Sequence, residues 1–156
     1  MTNGEPDLLK GLSPEQMQGA LALGVSVSIH GGRELFHLGD TADRIFIIQR
    51  GRVRLTLPMQ VRGRAEEIFV EETVPGQTVG WSALMPPYRF TLTAAAPVDT
   101  QVVALSRDAL REYFERFPEV GYVVSTNLAA IIGQRLQLFQ AMWLREMQRT
   151  IELRCA

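Results

Sequence analysis

The chain has 156 residues, which is the usual length of a single globular domain. Hydrophobic residues make up 46% and charged residues 21% of it, which excludes a disordered or fibrous chain. The 16 basic and 17 acidic residues leave a net charge of −1, which argues against a protein that wraps nucleic acid. One cysteine, two histidines and the lack of a signal peptide or a long apolar run predict a cytoplasmic protein with no metal cofactor and no membrane contact.

The first zone, residues 1–24, contains one predicted helix. Ser13 can cap its start, Pro14 suits the first helical position, and Gln16 follows at the third position as in a capping box. Gly24 suits the end of the helix.

The second zone, residues 25–105, reads as short strands separated by glycine-containing turns. Residues 25–29 alternate apolar and polar side chains, and Gly31-Gly32 indicates a hairpin turn after them. Residues 45–48 form a continuous apolar run, which predicts a strand buried on both faces.

The rest of this zone predicts one hairpin and two further strands. Strands around 53–57 and 68–70 should pair through a turn at 60–63, which would bring arginines of one strand near glutamates of the other. Residues 90–96 and 100–105 predict the last two strands. The many short strands favour a β-sandwich, roll or barrel.

The third zone, residues 106–156, is predicted to be helical. Ser106 should cap a helix that ends near Arg116, and a long helix should follow over 119–149. Two apolar stripes on a long helix favour burial against a second surface, which we take to be the same helix of another subunit in a two-fold dimer. The alternative is that both stripes pack within one subunit. The predicted interface consists of Leu128, Ile132, Leu136, Phe139, Trp143 and Met147.

Two segments resemble a known family. Residues 39–55 resemble the first half of a cyclic-nucleotide-binding domain, with a Gly-Asp turn, an acid, an apolar strand, a glycine and the next strand: GDTADRIFIIQRGRVRL. Residues 75–80 resemble the approach to the phosphate-binding cassette of that family, and the order of elements agrees from residue 9 to residue 147. The resemblance implies a mainly β fold, an antiparallel β-roll of the jelly-roll or double-stranded β-helix type, with an N-terminal helix and a long C-terminal helix. It also implies that cyclic AMP or cyclic GMP binds at the cassette and that the long helix dimerises.

The cassette departs from the family pattern at the ribose site. Gly80, Ala83 and Leu84 match the pattern, but Trp81 stands where the family has a glutamate that accepts the ribose hydroxyl. Losing a hydrogen bond to a charged group costs about 1.5–3 kcal/mol, which is about a tenfold to hundredfold loss of affinity.

The phosphate site departs as well. Phe90 falls on the position of the phosphate-binding arginine, Arg89 lies one residue early, and Ala95 occupies the second basic position. Three alternatives remain open: a pocket that binds no cyclic nucleotide, a pocket for another anion or an altered pose, and ordinary cyclic AMP binding. The predicted ligand-binding residues are Gly80, Trp81, Ser82, Ala83, Arg89, Phe90 and Thr91.

The sequence therefore predicts a non-catalytic regulatory or interaction module, homodimeric and able to bind a protein partner. An alternative is a sensor for a small anion or a cyclic nucleotide that uses Arg89 and the helix start at 80–85. A second alternative is a relative or fragment of a catabolite-activator-type regulator without its DNA-binding domain, because only residues 150–156 follow the long helix. An enzyme of the related double-stranded β-helix class would need clustered metal ligands, and His30 and His37 alone argue against it.

Overall fold

The computed structural model describes residues 4–156 of the chain. A short 3-10 helix, Asp7–Leu9, is followed by helix α1, Pro14–Leu21. The Gln16 backbone N–H donates to the Ser13 hydroxyl at 3.1 Å, and the Ser13 backbone N–H donates to Gln16 Oε1 at 3.0 Å. This reciprocal pair confirms the capping box predicted at the start of the helix.

Within residues 4–156, eight strands form two antiparallel four-stranded sheets, which confirms the predicted β-roll. The first sheet has the strand order β1-β8-β3-β6 and the second has the order β2-β7-β4-β5. Consecutive strands lie in different sheets, except for the hairpin of β4 and β5, and the two sheets share one apolar core. The strands are β1 Val25–Ile29, β2 Glu34–Phe36, β3 Arg44–Arg50, β4 Val53–Val61, β5 Arg64–Thr73, β6 Thr78–Val79, β7 Thr93–Ala95 and β8 Thr100–Ser106.

The hairpin expected at Gly31-Gly32 is absent from the roll, so this prediction is wrong. Strand β1 pairs with β8, and β2 pairs with β7 in the other sheet. The turn finds its hydrogen-bond partners in the segment after β7: the Gly32 N–H donates to the Ala96 carbonyl at 2.7 Å, and the Gly31 N–H donates to the Asp99 carboxylate at 2.8 Å. The two glycines therefore carry the chain from one sheet to the other.

The hairpin expected around 60–63 is confirmed. Strands β4 and β5 pair from Val53 with Thr73 to Val61 with Arg64, and the turn lies at the end of this ladder. Arg52 and Arg54 both donate to the Glu72 carboxylate, at 3.1 and 3.2 Å. Such exposed pairs contribute about 0.2–1 kcal/mol each.

The apolar run at 45–48 is buried throughout, as predicted, and β3 pairs with β8 along one edge and with β6 along the other. The interior continues to the 3-10 helix at the N-terminus, where Leu8 and Leu9 are completely buried. The Asn127 side-chain amide donates to the Leu8 and Lys10 carbonyls, both at 2.9 Å. This contact anchors the long C-terminal helix to the N-terminal segment of the chain.

Two helices follow the roll: α2, Arg107–Arg116, and α3, Pro118–Cys155. Helix α3 begins one residue earlier and ends six residues later than the predicted 119–149. The two helices pack closely at Gly121, where a Cβ atom would lie 2.9 Å from Phe114 Cβ. Val120 and Val124 are buried in the core, whereas almost every residue from 140 onward is exposed. In the described part of the chain, no helix combines the length and apolarity that crossing a membrane requires.

Candidate functional site

The predicted cassette forms a cradle between the end of β6 and the start of β7. It contains a four-residue 3-10 helix, Trp81–Leu84. Gly80 precedes this helix with φ of +86°, and a Cβ atom there would lie 3.3 Å from the Arg44 carbonyl oxygen and from the ring of Phe90. Glycine is therefore needed at this position both for its backbone angle and for space.

The ring of Phe90 fills the cradle. Its side chain is only 6% exposed and stacks on Phe36, with ring centroids 3.7 Å apart and planes 9° from parallel. Phe36 in turn lies 5.9 Å from the ring of Phe46. The position that the resemblance assigns to a phosphate-binding arginine therefore belongs to an aromatic cluster in the core.

The strand predicted over 90–96 is shorter than expected, because β7 covers only Thr93–Ala95. Phe90 is held instead by the turn before β3: its N–H donates to the Asp40 carbonyl at 3.0 Å, and the Gly39 N–H donates to its carbonyl at 2.8 Å. These non-local hydrogen bonds replace the expected sheet pairing at Phe90.

Arg89 lies outside the cradle. Its side chain is exposed, and its Nη1 donates to the Gly39 carbonyl at 2.9 Å. The structure therefore does not bring Arg89 together with the other predicted ligand-binding residues.

The remaining cavity in the cradle has a volume of about 20 Å³. Sites for small molecules usually measure about 300–1,000 Å³, so a nucleotide does not fit without rearrangement. Ala83 is completely buried and does not line the cavity. Five of the seven predicted ligand-binding residues do line it: Gly80, Trp81, Ser82, Phe90 and Thr91.

Arg107, at the start of α2, ties the cradle to the helices. Its Nη1 donates to the Ala42 carbonyl at 2.9 Å and to the Ala83 carbonyl at 3.3 Å. The same guanidinium lies 4.1 Å from the ring centroid of Tyr88, a favourable cation–π distance. Arg111 donates to the Tyr88 hydroxyl from the next turn of α2. No local sequence pattern marks this cluster.

Arg135 also lines the cradle cavity, and it is not among the residues predicted from the sequence. Its side chain is 11% exposed, and its Nη2 lies 2.8 Å from Glu71 Oε2 on β5. Burial lowers the pKa of the Arg135 guanidinium, and the Glu71 carboxylate acts in the opposite direction. Arg135 lies three residues after Ile132 and four residues before Phe139, so the helical period places it on the same face of α3 as these apolar residues. This spacing was the signal available in the sequence.

A groove opens beside the cradle, between the roll and α3. Its volume is about 340 Å³, and Arg135 forms part of its wall. Its other lining residues are Leu57, Trp81, Thr91, Leu92, Ile132, Leu136 and Phe139.

The predicted dimer stripe divides into two parts. Leu128 is buried in the hydrophobic core, and Ile132 and Phe139 are partly buried against the core. Leu136 is 58% exposed and Trp143 is 62% exposed; Met147 is exposed as well. The outer part of the stripe therefore remains open in a single chain.

Comparisons with known proteins agree with this architecture. Over 134 residues the chain is 28% identical to the cyclic AMP receptor protein of Thermus thermophilus, covering 86% of this chain and 58% of that protein. It is 29% identical to glutaminase 1 of Bradyrhizobium diazoefficiens, covering 85% of this chain and 20% of that protein. The chain thus spans only part of the length of these relatives.

Solved structures show the same likeness. The catabolite activator protein of Thermus thermophilus superposes with a TM-score of 0.71 at 27% identity, covering 94% of this chain and 62% of that one. The N-terminal domain of a transcriptional regulator from Streptomyces coelicolor gives 0.67 at 26% identity, covering 88% and 91%. The family described as cyclic nucleotide-binding domain matches residues 26–117, which is more than half of the chain. The two-sheet roll and flanking helices of this chain agree with that match. The chain therefore belongs to the cyclic nucleotide-binding domain family.

Proposed function

We propose that this chain is a non-catalytic, homodimeric regulatory module whose cradle does not bind cyclic nucleotides in the manner of its family. The stack of Phe90 on Phe36 carries the proposal, because it fills the cradle with apolar rings. Membership of the family supports the regulatory role.

The chemistry of the cradle supports the loss of cyclic nucleotide binding. A cyclic phosphate is an anion and needs backbone N–H groups and an arginine fork. Phe90 offers neither, and the Arg89 guanidinium is engaged by the Gly39 carbonyl outside the cavity. Placing a phosphate against the aromatic cluster would remove water from the anion without replacing its hydrogen bonds.

The lining of the cradle also supports a non-catalytic role. General acid–base chemistry needs a titratable group whose pKa lies near the working pH. Among the described residues that line the cavity, Arg135 is the only titratable side chain. An arginine stays protonated under ordinary conditions and does not exchange protons in a catalytic cycle.

Helix α3 supports the proposed dimer. Leu136, Trp143 and Met147 form an exposed apolar line, which is the kind of surface that a protein interface covers. A second groove, of about 300 Å³, lies between α2 and α3. Together with the groove beside the cradle, it gives α3 two neighbouring surfaces that are mainly apolar. Two copies of α3 related by a two-fold axis would cover the exposed line.

Calorimetry with cyclic AMP and cyclic GMP tests the proposal. Wild type is expected to give no binding heat, whereas Trp81→Glu combined with Phe90→Arg restores the family's glutamate and arginine and is expected to gain binding. Phe69→Arg controls for the added arginine, because it places the same positive side chain at an exposed phenylalanine on β5, outside the cradle. Wild-type crystals with cyclic AMP seated in the cradle would contradict the proposal.

A further inference from the structure

We propose that the tip of the β4–β5 hairpin docks on α3 of a second copy of this chain, where Met59 and Val61 cover Leu144 and Ile151. The inference rests on the proposed function in one respect, namely that two copies associate through α3. It requires the two helices to lie side by side and parallel. It adds a second contact to the dimer, made by the roll of one copy and the helix of the other.

The apolar face of β4 continues beyond the core of the roll. Side chains of every second residue share one face of a strand, and on β4 these residues are Val53, Leu55, Leu57, Met59 and Val61. The first two are buried and Leu57 is partly buried, whereas Met59 and Val61 are each 43% exposed. The face that fills the core at the base of the hairpin is therefore open at its tip.

The hairpin runs alongside α3, and its tip points towards the C-terminal end of the helix. Thr73, at the base of the hairpin, lines a small cavity together with Ile131. Leu57, four residues farther along the hairpin, lines the groove together with Phe139. Four residues of a strand and eight residues of a helix both span about 12–13 Å, so the hairpin and the helix advance together. At this rate Val61 lies at the level of about residue 148 of α3.

At this level α3 turns a charged side towards its own roll. Leu138 and Phe139 pack against the core. Arg145 and Glu146 follow them by seven residues, about two turns, and so lie on the same side of the helix. Covering the apolar tip with these side chains would remove water from the charges without replacing its hydrogen bonds. The helix of the same chain is therefore a poor cover for the tip.

The apolar residues of α3 at this level lie on the side away from its own roll. Met142, one turn after Leu138, is partly buried, and Leu144 lies two residues, about 200°, farther around the helix. Ile151 stands two turns above Leu144, and both are more than half exposed. Met147 lies between them in sequence, so this apolar side is continuous with the exposed line of the proposed interface.

Two-fold symmetry places the roll of the second copy on this side. A rotation of 180° about an axis between two parallel helices sets the two rolls on opposite sides of the helix pair. The side of α3 that faces away from its own roll therefore faces the roll of the second copy. The hairpin of that copy reaches the same level, so Met59 and Val61 meet Leu144 and Ile151 across the dimer.

Cross-linking of two co-expressed full-length chains tests the inference. Cys155→Ser removes the only cysteine of the sequence from both chains. One chain then carries Val61→Cys and a tag, the other carries Ile151→Cys, and a short bis-maleimide should join the tagged chain to the untagged one. Phe69→Cys in place of Val61→Cys is the matched control, because Phe69 is exposed but lies on the opposite face of the hairpin, paired with Thr56. It should give at least tenfold less of the mixed product.

Met59→Glu combined with Val61→Glu tests the contact without a cross-linker. The dissociation constant of the dimer, measured by sedimentation, should rise at least about tenfold, because the apolar burial is lost in both symmetric contacts. Phe69→Glu adds a charge on the other face and should leave the constant unchanged. If the double variant does not fold by circular dichroism, the cross-linking decides the question.

Two outcomes would overturn the inference while wild type remains a dimer. One is an equal yield of mixed product from Val61→Cys and Phe69→Cys, including none from either. The other is an unchanged dissociation constant in the folded variant that combines Met59→Glu with Val61→Glu. Either result would leave the tip to a different molecule or to solvent. A monomeric wild type would instead overturn the proposed homodimer, so the two failures are distinguishable.

Discussion

The aromatic cluster in the cradle predicts a large loss of stability for Phe90→Ala. The ring is 6% exposed and stacked at 3.7 Å on Phe36, so its removal creates a cavity in the core. Truncation of a buried phenylalanine costs about 3–5 kcal/mol of unfolding free energy. With a denaturant slope of about 2 kcal/mol per molar urea, the midpoint of unfolding should fall by about 2 M. Circular dichroism against urea concentration measures this shift.

Phe69→Ala is the control for this experiment. It makes the same chemical change on β5, where the ring is 54% exposed, and should cost no more than about 0.5–1 kcal/mol. If Phe90→Ala costs as little as Phe69→Ala, the ring does not fill the cradle in solution. The argument against cyclic nucleotide binding would then fail, because the cavity would be open to a ligand.

Two further predictions concern α3. Leu136→Glu combined with Trp143→Glu should halve the mass measured by light scattering, because it places charges in the proposed interface. The helical content should not change, because both side chains are exposed in a single chain. An unchanged mass would contradict the proposed interface. Gly121→Ala should lower the unfolding free energy by about 1–3 kcal/mol, since the new Cβ would meet Phe114 at 2.9 Å. Gly133→Ala should raise the unfolding free energy by about 0.5–1 kcal/mol, because the new Cβ would meet nothing within 4 Å apart from its own turn of the helix. Thermal unfolding of the two variants tests this contrast, and a loss of stability in both would refute it.

The sequence predicted those features that depend on neighbouring residues. The capping box at Ser13 and Gln16 needs only three residues of separation, and the buried strand at 45–48 needs only a continuous apolar run. The hairpin at 60–63 was predicted because both strands flank the turn directly. In each case the signal and the structure lie within the same short segment.

The features that the sequence could not predict depend on distant partners. Gly31-Gly32 has the composition of a hairpin turn, but its hydrogen bonds go to Ala96 and Asp99. Residues 90–92 have the composition of a strand, yet the turn at 39–40 takes the hydrogen bonds of Phe90. Arg135 was overlooked because the carboxylate that accompanies it, on β5, is far away in the sequence.

The attachment of α3 has a mechanical consequence. The helix is fixed near its start by Asn127, yet its 38 residues extend for about 57 Å, and the last 16 lie beyond the roll. A tilt of about 5° at residue 139 would displace the far end by about 2 Å, since that free segment is about 24 Å long. Displacements of this size are enough to switch contacts between subunits. A small tilt of α3 where it leaves the roll would thus become a larger displacement at its C-terminal end.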